Sequence, residues 1–502
     1  MATEKERLES LTDTVRECFA RTLLCDASEI APDADFLEDL GGDSLDSLDV
    51  MMHLEEKLGV SLPEEEFAHC RTASDAAALL LRLEQGGQGA ETEEKRAVRP
   101  ITRFEDSPEY AHFLERYSSV EEGRNPYFVS NDSPLRDTSL HEGREVINFA
   151  SYNYVGMSGR PETVRAAQEA AAHYGCSASA SRLLGGEKPI HKELEAAIAQ
   201  WKHAEDAVVL VGGHSTNVTF VGNFCGKNDL ILYDVLAHNS IQEGTRLSGA
   251  ESRPFPHNDF QTLENILRSC RDRYEKVLIA VEGVYSMDGD IAPIPEFVRV
   301  KKRYGCFLMV DEAHSACVLG DHGGGVDEYF GLDMRDVDIK MGTLSKGLGT
   351  CGGYLAGDRA LIEYLRYNLP GFVFSVGISP PLAAATLEAI RLLQSEPEIM
   401  ASLHRNIRTF LDEAHKRGFN TCLAQETAIL PILVGPDEDA FRLSAALLDR
   451  GVCVPPAVYP AVPRGRARLR FCVISEHRSE QIVYALDALR DAADELGITL
   501  PD

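Results

Sequence analysis

The sequence predicts a multidomain protein with a small all-α bundle, a large α/β domain and a smaller C-terminal α+β domain. The chain has 502 residues, enough for roughly three domains. Residues 1–84 carry 21 acidic and 7 basic side chains, a net charge of −14, against −30 for the whole chain. Beyond residue 100, short apolar segments alternate with helical patterns, which is typical of a mostly parallel sheet covered by helices.

Apolar residues at helical spacing predict three helices in the first 84 residues. They cover Leu8 to Leu23, Leu45 to Leu58 and Ala76 to Leu83. A chain of this length can form an independent bundle. The next segment is polar, rich in glycine and without apolar period, which predicts a linker over 85–99.

Five apolar segments predict strands of the large domain, and they lie at 207–211, 230–234, 277–282, 307–311 and 339–344. Helical patterns such as 162–174 separate them. From about residue 395 the pattern changes to a long helix, then strands near 429–434 and 468–473, then a helix near 479–496. We therefore assign 100–395 to the large domain and 396–502 to the small domain.

Composition excludes several classes of partner. A net charge of −30 argues against nucleic acid or an anionic membrane, because both require a basic surface. The longest apolar runs are far shorter than the roughly 18 residues of a membrane-spanning helix. The charged N-terminus has no secretory signal, and we expect a cytoplasmic protein. No HExxH and no paired CxxC motif is present, so no metal site is predicted.

Ser44 lies in the segment DLGGDSLDSLDV, residues 39–50, at the predicted start of the second helix. By itself this pattern also fits a helix N-cap. The segment, with residues 53–66, resembles the acyl carrier proteins over roughly residues 8–84. The resemblance implies that a phosphopantetheinyl transferase attaches 4′-phosphopantetheine to Ser44. It also implies an acidic docking face for basic partners, formed by Asp43, Asp46, Asp49 and Glu56.

In the large domain, polar residues follow predicted strands. Asp311 ends the apolar segment FLMVD, where α/β sheets place ligand-binding groups. Lys346 lies among small residues in GTLSKGLG, so a cofactor can approach it closely. The segment VLVGGHS, residues 209–215, passes from a strand through glycines to a helix start and offers free N–H groups to a phosphate. Each pattern alone also occurs in purely structural roles.

Together with INFASYNYVGM (147–157), GVYSMDGD (283–290) and RARLRFCVISEH (466–477), these segments resemble the α-oxoamine synthases. This family of pyridoxal-phosphate (PLP) enzymes has the aminotransferase-like fold type I. It includes 8-amino-7-oxononanoate synthase, 2-amino-3-ketobutyrate ligase, 5-aminolevulinate synthase and serine palmitoyltransferase. The resemblance covers most of residues 100–502 and implies a fold type I large domain followed by a small α+β domain.

The resemblance implies four catalytic residues. Lys346 forms the Schiff base with the cofactor, and Asp311 keeps the ring nitrogen protonated. His314 contacts the ring hydroxyl, and His238 stacks on the ring. The remaining implied cofactor contacts are Gly213, His214, Ser286 and Thr343, and the implied substrate contacts are Arg470 and Asn153. His214 stands where relatives usually have an aromatic residue, so local packing there is expected to differ.

The implied activity is that of a PLP-dependent acyltransferase. It performs a decarboxylative Claisen condensation of glycine, alanine or serine with an acyl thioester, giving an α-aminoketone and CO2. The fused carrier favours an acyl chain held on the arm of Ser44, where tethering raises its local concentration. This points to polyketide or fatty-acid-related biosynthesis, with an upstream enzyme that loads the acyl group.

Several alternatives remain open. The same chemistry could use free acyl-CoA, with the carrier as a docking module. A non-catalytic scaffold that presents an acyl chain is a second reading, and an aminotransferase is a third. The resemblance also implies a homodimer, in which Ser375 or Gly377 contacts the partner's phosphate. The amino acid, the acyl chain, the pathway and the subunit that the carrier serves are left undetermined.

Overall fold

The computed structural model describes residues 4–23, 27–36, 40, 44–58, 60, 62–67, 70–86, 101–117 and 127–501. The helices are α1 Glu4–Leu23, α2 Ser44–Leu58, α3 Glu64–Phe67, α4 Ala73–Gly86, α5 Pro108–Tyr117, α6 Pro161–Tyr174, α7 Pro189–Trp201, α8 Gly213–Phe224, α9 Asn239–Ser248, α10 Phe260–Cys270, α11 Ile294–Tyr304, α12 Val326–Phe330, α13 Arg359–Asn368, α14 Pro370–Val373, α15 Pro380–Ser395, α16 Glu398–Lys416, α17 Asp437–Asp449 and α18 Ser479–Leu496. The strands are β1 Thr138–His141, β2 Arg144–Asn148, β3 Asp206–Leu210, β4 Leu230–Asp234, β5 Glu251–Phe255, β6 Val277–Glu282, β7 Phe307–Asp311, β8 Ile339–Thr343, β9 Gly353–Gly357, β10 Ile429–Gly435, β11 Val452–Cys453, β12 Pro456–Ala457 and β13 Ala467–Cys472.

The N-terminal part is a helical bundle in which α1 packs against α2 and α4. Its apolar core includes Leu11, Val15, Phe19, Leu54 and Leu80, all of them buried. The three predicted helices are confirmed, because their apolar residues share one face at helical spacing. The short helix α3 was not predicted. Residues 87–99, which make up most of the predicted linker 85–99, lie outside the described residues.

The large domain is built on a seven-stranded sheet with the order β3-β9-β8-β7-β6-β4-β5. All neighbouring strands run parallel except at β9, which is antiparallel to both β3 and β8. The five predicted strands are confirmed, because each is rich in apolar residues and largely buried on both faces. The edge strand β5 was missed, because its sequence ESRPF is polar and contains a proline.

Two smaller sheets complete the fold. In one, β13 lies between β10 and β12, and all pairs are antiparallel. In the other, the hairpin β1–β2 pairs with β11, so the segment before the large sheet joins the C-terminal region. The ring of Phe149 lies 5.3 Å from that of Phe471 and ties the two together. This connection was not predicted, because it joins residues more than 300 positions apart.

Candidate active site

Adjacent strands of the large sheet end at one cavity. Glu282, Asp311 and Thr343 are the last residues of β6, β7 and β8, and the register pairs Glu282 with Asp311. The cavity has a volume of about 170 Å³ and lies at the carboxyl ends of the parallel strands, as expected for open α/β sheets. It is lined by Gly213, His214, Asn217, His238, Ser240, Glu282, Asp311, Ala313, His314, Met341, Thr343, Ser345 and Lys346.

Asp311 is buried and is held by two neutral donors. The side-chain amide of Asn217 donates to one carboxylate oxygen at 2.6 Å, and the backbone N–H of Ala313 donates to the other at 2.9 Å. Asn217 also donates to the hydroxyl of Ser240 at 2.9 Å. The buried amide oxygen of Asn217 has no hydrogen-bond partner in the described structure. The carboxylate is therefore positioned without being neutralised by a fixed cation.

Lys346 follows β8 by three residues, and its Nζ lies 2.7 Å from Nε2 of His314. Burial lowers the pKa of Lys346 to about 8, although the carboxylates of Asp311 and Glu282 act in the opposite direction. An amine with a lowered pKa is a better nucleophile near neutral pH. The predicted lysine is thus in a setting that suits covalent chemistry.

His314 connects Lys346 to a tyrosine. Its second ring nitrogen, Nδ1, lies 2.7 Å from the hydroxyl of Tyr154. Burial and the neighbouring charges of Lys346 and Arg470 hold the pKa of His314 well below its usual range. The imidazole is therefore neutral at physiological pH.

His238 lies immediately before α9, and it lines the same cavity as Lys346 and His314. Its Nδ1 accepts from the backbone N–H of Ser240 at 3.2 Å and lies 2.7 Å from that residue's hydroxyl. Its backbone N–H donates to the Glu282 carboxylate at 2.6 Å. Burial and the nearby charge of Asp311 raise the pKa of Glu282 well above its usual value. These contacts fix the position of His238 at the cavity wall.

The start of α8 forms a cradle suited to a phosphate. Gly213 is the first residue of this helix, and a Cβ placed there would lie 2.7 Å from Oγ1 of Thr343. The hydroxyls of Thr343 and Ser345 lie 2.6 Å apart at the same wall. Free backbone N–H groups of a helix N-terminus attract anions. The residues present therefore fit pyridoxal phosphate, with a lysine, a carboxylate and a phosphate cradle around one cavity.

Arg470 is buried in β13. Its guanidinium and the amine of Lys346 both lie near the ring of Tyr152. The guanidinium lies 5.1 Å from the centre of that ring, and Nζ of Lys346 lies 5.9 Å from it. Arg470 Nε donates to the carbonyl of Ser286 at 2.6 Å, and Nη1 donates to Cys472 Sγ at 3.2 Å. These two contacts orient the guanidinium that was predicted to bind the substrate carboxylate.

Two predicted site residues make other contacts. Ser286 presents its backbone carbonyl to Arg470 and is not among the residues that line the cavity. The amide of Asn153 donates to the carbonyl of Leu135 at 3.1 Å and accepts from the N–H of Ser158 at 3.0 Å. Both residues therefore hold loops next to the site. Their direct contacts with cofactor or substrate stay predictions.

Sequence reasoning missed eight residues of the site, namely Tyr152, Tyr154, Asn217, Ser240, Glu282, Ala313, Met341 and Ser345. One signal was available, because Glu282 ends the apolar strand VLIAVE just as Asp311 ends FLMVD. Asn217 lies inside a helical segment, where no sequence pattern distinguishes it. The tyrosines lie in SYNYVGM, where no periodicity separates site residues from core residues.

Ser44 is the first residue of α2, but its side chain lies outside what the structure describes. The same holds for Asp43 and for the side chains of Asp46, Asp49 and Glu56, so the acidic docking face stays a prediction. Along the described part of the chain, no helix combines the length and apolar character needed to cross a membrane. Nor do the described His, Cys, Asp and Glu residues form a cluster arranged to hold a metal ion.

Comparison with known proteins decides the family. Residues 144–489 match the model for aminotransferase class I and II, and residues 13–80 match the phosphopantetheine attachment site. The 8-amino-7-oxononanoate synthase of Symbiobacterium thermophilum is 42% identical over 73% of this chain and 93% of its own length. The chain belongs to the α-oxoamine synthases. The 8-amino-7-oxononanoate synthase 1 of Bacillus subtilis is similar to this α-oxoamine synthase at 40% identity, over 70% of this chain and 89% of the relative.

Solved structures agree with this assignment. The serine palmitoyltransferase of Sphingomonas wittichii is 31% identical, with a TM-score of 0.75, over 80% of this chain and 100% of that chain. The fold class, the family and an enzyme of the PLP-dependent acyltransferase class are thereby confirmed. Both predicted cofactors, pyridoxal phosphate and 4′-phosphopantetheine, are confirmed as well.

Proposed function

We propose that this α-oxoamine synthase condenses glycine, alanine or serine with an acyl group carried as a thioester on the arm of Ser44. The products are an α-aminoketone and CO2, within polyketide or fatty-acid-related biosynthesis in the cytoplasm. One observation carries the proposal. A half-buried lysine, Lys346, lies 2.7 Å from His314 in a cavity with Asp311 and His238, on the same chain as a phosphopantetheine attachment domain.

Pyridoxal phosphate supplies an electron sink for carbanion chemistry when it is bound. The N-terminus of α8 at Gly213, together with Thr343, suits its phosphate, and the Asp311 carboxylate suits its ring nitrogen. His238 is proposed to stack against its ring, and Lys346 to hold it covalently. Asn217 keeps the Asp311 carboxylate in place through its hydrogen bond of 2.6 Å.

In the proposed reaction Lys346 removes the Cα proton of the amino acid. Arg470 binds the substrate carboxylate through its planar guanidinium, which Ser286 and Cys472 orient. The Cα carbon then attacks the acyl carbonyl, the C–S bond breaks and the thiol of the arm leaves. The C–C bond to the carboxylate breaks as CO2 departs, and a proton returns to Cα. Tyr152, between Arg470 and Lys346, covers this region with its ring.

The carrier domain supports delivery on a tethered arm. Linking the acyl donor to the enzyme makes its encounter intramolecular, with an effective concentration of about a millimolar for a flexible linker that can span. The proposal requires a phosphopantetheinyl transferase to modify Ser44 and an upstream enzyme to load the acyl group.

The two serines of α2 provide a matched test. Ser44 and Ser47 occupy the repeated triplets DSL within DSLDSLD. Wild type, Ser44→Ala and Ser47→Ala would be treated with a phosphopantetheinyl transferase and acyl-CoA, separated from free acyl-CoA, and mixed with carboxyl-labelled glycine, alanine or serine. We expect labelled CO2 and an aminoketone from wild type and Ser47→Ala, with one amino acid preferred, and none from Ser44→Ala.

Other outcomes would select the alternatives. Full activity of Ser44→Ala with free acyl-CoA would make the carrier a docking module. Absence of product with any amino acid, together with absence of the visible absorption of bound PLP, would overturn the synthase proposal and favour a scaffold. Exchange of the amino group with a keto acid would indicate an aminotransferase.

We also propose a homodimer. Leu184 and Phe374 are large apolar side chains that are 84% and 88% exposed. Their segments are joined by a hydrogen bond of 2.7 Å from the hydroxyl of Ser181 to the carbonyl of Val373. Exposed apolar side chains grouped in this way mark interaction surfaces.

We expect Leu184→Glu to shift the mass measured by light scattering from dimer towards monomer, whereas an unchanged dimer would exclude this surface. Neither Ser375 nor Gly377 is distinguished as the contact to the partner.

A further inference from the structure

Tyr154 begins a chain of hydrogen bonds that leads through His314 to Lys346. It is fully buried in the segment that follows β2, and its hydroxyl lies 2.7 Å from Nδ1 of His314. The other nitrogen of His314 lies 2.7 Å from Nζ of Lys346. A tyrosine hydroxyl, an imidazole and an amine thus form one continuous hydrogen-bonded chain, which ends at the lysine predicted to hold the cofactor.

A buried cation near Tyr154 is excluded as the acceptor of its hydroxyl hydrogen. The guanidinium of Arg470 lies beside the Tyr154 hydroxyl. Because a guanidinium has donors and no acceptor, the phenol oxygen can only accept from it. The O–H of Tyr154 is therefore directed to the acceptor that the described residues place next to it, Nδ1 of His314.

This direction has consequences for the histidine and the lysine. If Nδ1 of His314 accepts from Tyr154, the single proton of the neutral imidazole lies on Nε2. That N–H then donates to Lys346, which must present a lone pair and so be an uncharged amine. In the opposite arrangement an ammonium of Lys346 donates to Nε2, and the proton on Nδ1 faces Tyr154. The buried O–H would then lose its acceptor, which is unfavourable.

We propose that Tyr154 is a positioning residue that fixes the tautomer of His314 and thereby favours the uncharged amine of Lys346, the form that binds the cofactor. The inference rests on the proposed role of Lys346. It adds a coupling between the arginine that receives the substrate carboxylate and the lysine that performs the chemistry. The other charged or titratable groups that act on Lys346 are Asp311, Glu282, Arg470 and Cys472, and His238 lines the same cavity.

The experiment measures cofactor attachment rather than turnover. Full-length protein freed of cofactor would be mixed with pyridoxal phosphate between pH 6 and 10, and the visible absorption of the lysine adduct followed in time. The midpoint of the rate against pH reports the pKa of the attacking amine. For Tyr154→Phe we expect this midpoint to rise by about 0.5 to 1 pH unit and the rate at pH 7 to fall about threefold to tenfold.

Tyr354 provides the matched control. It is another fully buried tyrosine, and its hydroxyl has no partner in the described structure. Tyr354→Phe removes a buried hydroxyl that takes no part in the chain of hydrogen bonds, so we expect the wild-type midpoint. Circular dichroism would verify that both variants are folded.

A double variant separates positioning from a general structural effect. In a His314→Leu background the chain is already broken, so Tyr154→Phe should produce no further shift of the midpoint. An unchanged midpoint in Tyr154→Phe alone, or an equal shift in both backgrounds, would overturn the inference. If wild type itself forms no adduct, the proposed function fails. If wild type forms the adduct and only the predicted shift is missing, this inference alone fails.

Discussion

Asp311 and Glu312 are adjacent acidic residues at the end of β7, yet they have opposite surroundings. Glu312 is fully buried and pairs with Lys202, whose Nζ lies 2.7 Å from its carboxylate. The backbone N–H of Val326 donates to the same carboxylate at 2.9 Å. The Asp311 carboxylate faces the cavity, and among the described residues it receives hydrogen bonds only from the neutral groups of Asn217 and Ala313. One carboxylate is neutralised by a fixed cation, whereas the other remains available to a bound cation.

The difference shows how one strand end serves both stability and chemistry. A buried ion pair with matched partners holds the polypeptide but offers nothing to a ligand. A carboxylate held by neutral donors keeps its charge for a protonated ring nitrogen. An isosteric substitution of Glu312 should therefore lower stability and leave activity intact. The same kind of substitution of Asp311 should lower activity and leave stability intact.

The largest effect is expected on stability at Glu312. Glu312→Gln removes the carboxylate that pairs with the fully buried ammonium of Lys202, and we expect the free energy of unfolding to fall by about 3–5 kcal/mol. The folded fraction should keep its activity. Denaturant unfolding would measure the loss, with Glu296→Gln as the control, since its pair with Arg299 is exposed and contributes at most about 1 kcal/mol. A loss no greater than that of the control would contradict the comparison.

At Asp311 we expect a large loss of activity and little change in stability. Asp311→Asn keeps the shape of the side chain but removes the charge proposed to hold the cofactor ring nitrogen. We expect kcat to fall by about 10²–10³, as for the loss of other preorganised electrostatic contacts, while unfolding stays close to wild type. Steady-state kinetics and denaturant unfolding of the same samples would test this. Activity within a few-fold of wild type would show that Asp311 does not perform the predicted role.

A pair of carboxylates around His257 should make the free energy of unfolding depend on pH. His257 lies between two carboxylates. Its Nδ1 is 3.0 Å from the carboxylate of Asp234, and its Nε2 is 3.0 Å from that of Asp290. These two charges raise its pKa from 6.5 to about 10, although burial opposes them. The charged ring is therefore stabilised by folding. Its contribution is complete below about pH 6.5 and is lost as the pH rises through about 10.

We expect His257→Gln to lower the free energy of unfolding by about 2–3 kcal/mol at pH 6. The difference from wild type should shrink steadily between pH 7 and pH 10. Denaturant unfolding at several pH values would measure it. A difference that is constant with pH would mean that the ring is not charged in the folded protein.

The smallest effect concerns Asn217. Asn217→Ala removes the donor that holds the Asp311 carboxylate, and we expect pyridoxal phosphate to bind about fivefold to thirtyfold more weakly. Asn223→Ala on the same helix is the control, because among the described residues its exposed amide is hydrogen-bonded only to the carbonyl of Thr219. Fluorescence or absorption titration with the cofactor would compare them. Equal affinities would remove Asn217 from the set of positioning residues.

Most of the fold was predictable from local patterns. Continuous apolar runs identified β4, β6 and β7, and helical spacing identified α1 and α18, because burial of one face or both faces leaves a periodic signal. The hairpin β1–β2 and the edge strand β5 carry no such signal. Their pairing depends on partners elsewhere in the chain.

By itself the sequence determined the chemical groups of the site: Lys346 among small residues, Asp311 at a strand end, and Ser44 in a carrier motif. For Lys346 and Asp311, the tertiary structure alone decided which groups surround the side chain. Tyr154 is 160 positions from His314 and Asn217 is 94 positions from Asp311, and only the tertiary structure brings the polar atoms of each pair within hydrogen-bond distance. Such contacts leave no periodic trace, because each depends on the position of one side chain rather than on a repeated pattern of burial.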